Sequence, residues 1–120
     1  MWSSSFGTVS DAAEAGVAVD RDGDVVLLTG STTDEIDFGG GPLVKKGMVD
    51  VAMAKFDASG KHLWSKRFGG PLANGGAGLA VDLLGNVLLT GYSVDSGADF
   101  GGGALPNAGS RDVFVASLAP

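Results

Sequence analysis

An all-β chain made of two copies of one antiparallel unit is the fold this sequence predicts, on three observations. The 120-residue chain repeats with a period of about 62: "GVAVDRDGDVVLLTG" from Gly16 returns as "GLAVDLLGNVLLTG" from Gly78, and "DFGGGPLVKKG" from Asp37 as "DFGGGALPNAG" from Asp99. Runs of β-branched and aromatic residues are separated by Gly, Asp, Asn and Ser clusters, the punctuation of short strands. No segment carries a helical period of useful length.

The elements follow in order. "WSSSF" (Trp2 to Phe6) reads as a strand because "WSKRF" from Trp64 repeats it. The first full unit then gives "GVAVD", "DVVLLTGS", "VDVAMAKFD" and "KHLWSKRFG". In the third of these, Val49, Val51, Met53 and Lys55 point one way and Asp50, Ala52, Ala54 and Phe56 the other. The turn "FDASGKHL" joins the third and fourth strands. Strands one to three return between Gly78 and Leu118, the third as "RDVFVASLA". The whole is a single module, residues 1–120, with repeat one at about 1–62 and repeat two at about 63–120.

Asp20, Asp22 and Asp24 alternate like the start of a calcium loop. The second copy argues otherwise, because Leu84 stands at the place of Asp22 and Asn86 at that of Asp24. What both copies keep is V-D-x-x-G-[D/N]-V, which is turn chemistry: a carboxylate that accepts backbone N–H bonds and a glycine at positive φ. The expectation is a tight hairpin with no cofactor, calcium being the minor alternative.

Composition narrows the partners. Apolar residues at 44% against 18% charged support a packed core, and a net charge of −6 repels phosphate backbones, so no nucleic-acid partner is expected. No apolar run reaches the length of a membrane-spanning helix, and the absence of cysteine rules out disulfides and thiolate chemistry. The 21 glycines without a collagen period mean many tight turns.

A repeated four-stranded antiparallel unit fits a propeller blade or one half of a β-sandwich, and the repeat favours the blade, since stacked blades bury both faces of each sheet. The small residues of the first strand suit the crowded position nearest the axis. The succession "AVD..GNVLLTG", "DFGGG", "DVFVA" and "HLWSKRFGG" resembles the bacterial β-propeller repeat called the seven-bladed, or SBBP, repeat. The resemblance implies a propeller fold and a bacterial secreted or cell-surface setting. It says little of activity, and two blades are fewer than the family's rings contain.

The phase of the repeat adds a partner. One unit is complete, the second stops after three strands, and an extra fourth-type strand precedes both. A neighbour's Trp2 and Phe6 strand is expected to pair with Asp112, Val113, Phe114, Val115 and Leu118, closing a homotrimer of six blades or a homotetramer of eight. The trimer is slightly preferred. The phase also fits a piece excised from a longer propeller, or an engineered one, somewhat better than a natural stand-alone protein.

Chemistry is sparse. The tight turns share one face of such a ring, and the long connections share the other, where binding usually sits. Asp34, Asp37, Tyr92, Asp95 and Asp99 are the candidate ligand groups there, for a glycan, a protein or calcium. Loop carboxylates capping backbone amides are the plainer expectation. "DFGGG" matches neither a kinase nor a phosphate loop, because no catalytic loop and no GK[ST] helix accompany it. His62, the single histidine, has no nucleophile to serve. The expected role is a non-enzymatic scaffold, with a lectin-like binder as the alternative.

Overall fold

Each copy folds as an antiparallel sheet whose strands lie in chain order, in a computed structural model that describes residues 1–6, 15–94, 98–106 and 109–120. In the first sheet, β1 (Ala15–Val19), β2 (Val25–Ser31), β5 (Asp50–Phe56) and β6 (His62–Phe68) lie side by side. The second sheet has β7 (Asn74–Val81), β8 (Val87–Ser93) and β11 (Asp112–Leu118), with β11 at its outer edge. The long connections are not plain loops. Each folds into a small hairpin, β3 (Glu35–Asp37) with β4 (Pro42–Val44) in the first copy and β9 (Ala98–Asp99) with β10 (Ala104–Leu105) in the second.

The structural repeat holds at 62 residues throughout. Val25 pairs with Phe56 as Val87 pairs with Leu118, and Ser31 pairs with Asp50 as Ser93 pairs with Asp112. This corrects the string match, which sets "LLTG" one residue out of step. A one-residue slip would turn every side chain of β8 to the wrong face. The ladder keeps step instead, so Thr90 takes the position of Leu28 and Gly91 that of Thr29.

The two sheets pack face to face. Val26, Leu28, Val51, Met53 and Phe68 of the first join Val87, Leu89, Ala98, Phe100, Phe114 and Leu118 of the second in one buried cluster, with Leu79 and Val81 against it. The opposite face of β5 does what its alternation predicts: Ala52, Ala54 and Phe56 are buried under Ile36 and Phe38 of the β3–β4 hairpin. Backbone bonds tie the sheets at the long-connection end, where Asn74 N donates to Val49 O (2.9 Å) and Met48 N to Leu72 O (3.0 Å). Small residues sit where β1 meets β7, and a methyl on Gly16 would lie 4.0 Å from Leu79.

The expected strand at Trp2 to Phe6 is not a strand in the single chain. The segment lies instead on the hairpin-covered face of the first sheet. Phe6 stacks on Phe56 and meets Phe38 edge-on, both at 5.3 Å between ring centroids, and Trp2 Nε1 donates to Ala58 O (3.1 Å).

A Cβ on Gly91 would collide with the carbonyl oxygen of Gly75, whereas nothing lies within 4 Å of one on Gly102. Gly91→Ala therefore lowers stability by about 1–3 kcal/mol, as overpacking does. Gly102→Ala leaves it unchanged, and guanidinium denaturation of the two variants measures the difference.

Candidate functional site

The tight turns resolve the acidic motif. Asp20 Oδ1 accepts the amides of Asp22 (2.8 Å) and Asp24 (3.0 Å), and Asp82 Oδ1 accepts those of Leu84 and Asn86, both at 2.9 Å. Asp57 repeats the pattern with Ser59 and Lys61, both at 2.9 Å. Gly23, Gly60 and Gly85 hold φ of 84°, 91° and 85°, the left-handed backbone such a turn requires. In the first turn the ammonium of Lys55 sits 3.0 Å from Asp20 Oδ2 and 3.6 Å from Asp24 Oδ2. A protein cation thus pairs with two of the three carboxylates in the calcium reading, Asp20 and Asp24.

Four of the five candidate ligand groups lie among the described residues. Asp37 Oδ1 accepts the amides of Gly39 (2.7 Å) and Gly41 (3.1 Å), and Asp99 Oδ1 those of Gly101 (2.7 Å) and Gly103 (3.1 Å), so both are caps of the "GGG" turns. Asp34 is exposed, and its carbonyl accepts the Lys45 amide (2.8 Å). Tyr92, expected in a long connection, belongs to β8, because the β8–β11 ladder runs on to Ser93 and Asp112. Its ring lies over Gly75, with the Arg111 guanidinium 4.7 Å from the ring centroid. Asp95 lies outside the described residues. Among the described residues no three His, Cys, Asp or Glu gather as a metal would need. His62 starts β6, packs on Gly39 and Gly40, and bonds Ser65 Oγ through Nε2 (3.0 Å).

One feature escaped the sequence. Arg67 and Asp50 form a buried ion pair, Nε to Oδ2 at 2.8 Å, with side chains 1% and 0% exposed. Arg67 also donates to the carbonyls of Leu43 (3.1 Å) and Thr33 (2.7 Å), and Lys46 N donates to Asp50 Oδ2 (2.7 Å). The guanidinium therefore ties the outer strand to the β3–β4 hairpin. Charged residues in both strands were the available signal, but their meeting depends on register.

Among the described residues, apolar side chains stand exposed at two sheet surfaces. On β11, Val113 is 84% and Val115 75% exposed, and Leu88 of β8 is exposed on the same face. On β1, Val17 is 67% and Val19 61% exposed. The outer edge of β11 carries no strand among the described residues, and grooves of about 400 and 260 Å³ run along it.

Two antiparallel sheets of one pattern, each with an inserted hairpin, are stacked here, an all-β arrangement consistent with a propeller repeat. Residues 63–96 match the family model of the SBBP beta-propeller repeat. No curated protein matches the chain.

Two outcomes follow from the polar groups. The Asn86 side chain and backbone amides hold the Asp82 carboxyl below its ordinary value, and the Ser59 hydroxyl does the same for Asp57. At Asp20 burial pushes upward, but the bonds from Lys55 and from the Asp24 and Asp22 amides outweigh it. A lowered folded pKa gives stability that is present above the unfolded value, about 3.9, and lost as pH falls through the lowered ones. Denaturation midpoints therefore drop on acidification below about pH 4, and Asp82→Asn shows a shallower drop. Removing one partner of the buried pair strands the other, so Arg67→Ala costs about 3–5 kcal/mol by the same measurement.

Proposed function

We propose that this chain is a non-enzymatic scaffold module that associates head to tail with further copies of itself into a closed, multi-bladed ring. One observation carries the reading: the buried contact between the two sheets has its counterpart, one repeat along, on the exposed surface. Val51 and Met53, both 0% exposed, correspond to Val113 and Val115, and Val26 corresponds to Leu88. On the receiving side, Leu79 and Val81, packed against the core, correspond to Val17 and Val19. The far face of the second sheet thus carries the chemistry that the near face of the first already buries. The open face of β1 carries the chemistry that receives it.

The N-terminal segment fits the same scheme. Phe68 of β6 meets Phe100 at 5.7 Å, and its counterpart Phe6 meets Phe38 at 5.3 Å. Phe6 thus sits where the outer strand of a preceding sheet would sit, and a neighbour's β11 edge is the strand it lacks. Contacts that join unlike surfaces and close give rings, here of six blades from three chains or eight from four, with three preferred.

Absolute mass by light scattering and native mass spectrometry tests this. A discrete trimer or tetramer is expected. Val113→Asp with Val115→Asp, exposed positions in the single chain, returns it to a folded monomer by circular dichroism. A dispersed wild-type monomer would replace the ring with a two-sheet sandwich.

A further inference from the structure

The first sheet holds its outer strand with a buried ion pair, Arg67 to Asp50. In the first sheet β6 pairs on β5 with Phe68 opposite Val51, Arg67 opposite Ala52 and Lys66 opposite Met53. Resting on the head-to-tail reading, we infer that a neighbour's N-terminal segment adds to β11 with Phe6 opposite Val113, Ser5 opposite Phe114, Ser4 opposite Val115 and Ser3 opposite Ala116. Ser5 then stands where Arg67 stands in the first sheet.

Part of the surroundings of Arg67 recurs at the edge of the second sheet. Arg67 lies against Asp50, the strand partner of Ser31, and donates to the carbonyls of Leu43 and Thr33; the counterpart of Thr33, Asp95, lies outside the described residues. The counterparts Asp112, Leu105 and Ser93 line an open pocket of about 260 Å³ together with Pro106, Val113, Phe114 and Val115. What is a filled guanidinium channel in one sheet is a socket in the other. The serine hydroxyl of Ser5 is too short to reach into it. The closing strand therefore binds through its backbone, Trp2 and Phe6, and leaves the socket underfilled.

The test is a gain of assembly. Ser5 is exposed in the single chain, so Ser5→Arg is compatible with its fold. Sedimentation velocity over a dilution series reads the dissociation constant of the assembled form. Ser5→Arg lowers that constant about tenfold or more, since a buried hydrogen bond to a charged group outweighs a neutral one. The gain disappears when Asp112→Asn is added. Ser4→Arg, whose side chain points to the other face in this register, gives no gain that depends on Asp112, which separates the ion pair from simple relief of the −6 net charge. Assembly no tighter in Ser5→Arg than in wild type, or a gain indifferent to Asp112→Asn, overturns the register. A wild-type chain that never associates overturns the head-to-tail reading instead.

Discussion

Both main sheets carry apolar residues on both faces, so each needs two coverings, and the described residues meet that demand unevenly. The contact of Val26, Leu28, Val51 and Met53 with Val87, Leu89 and Phe114 covers one face of each. The other face of the first sheet is closed in part by Ile36, Phe38 and Phe6, while Val17 and Val19 stay open. The far face of the second sheet has no cover among the described residues. Burying a valine is worth about 1.5–3 kcal/mol, so Val113 and Val115 alone make that exposure a sizeable driving force for association.

The inserted hairpins matter because they bridge sheets. Phe100 stacks on Phe114 of its own sheet at 4.0 Å and reaches Phe68 of the other at 5.7 Å. Phe38 packs on the first sheet and meets Phe6 edge-on, while Phe6 itself stacks on Phe56. Arg67 fixes its hairpin to the outer strand through two carbonyls, and removing Asp50 and Arg67 from water is repaid only because nearly every donor finds an acceptor. The Oδ1 of Asp50 remains buried without a hydrogen-bond partner, close against Gly69. A Cβ on Gly69 would run into that oxygen, so a larger residue there would have to displace the carboxylate.

The strands of the main sheets were legible from the alternation in "VDVAMAKFD" and the repeated "VD..G" turns, but β7 begins at Asn74, four residues before the expected Gly78, inside a stretch that reads as a link. The β3–β4 and β9–β10 hairpins were not. Their strands are two or three residues long, too short for a period, and the glycines between them read as loop. Tyr92 was misplaced because a strand's end is set by its partner, here Asp112 opposite Ser93. Asp37 and Asp99 were read as capping groups more readily than as ligands, and capping is what their Oδ1 atoms do. The Trp2 to Phe6 segment looked like a strand from its repeat partner, but strandedness needs an adjacent edge, and its own sheet presents a face to it.

The tight turns keep all their closing bonds local. Asp20, Asp57 and Asp82 each bind amides two and four residues ahead, so nothing distant is required to bend the chain there. Hairpins of that kind close in about 1–10 μs, well before ladders such as β2 with β5, which must span an inserted hairpin. Structure in this molecule therefore spreads outward from its turns, sheet docking comes later, and any meeting of two chains comes last, as the one step whose rate depends on concentration.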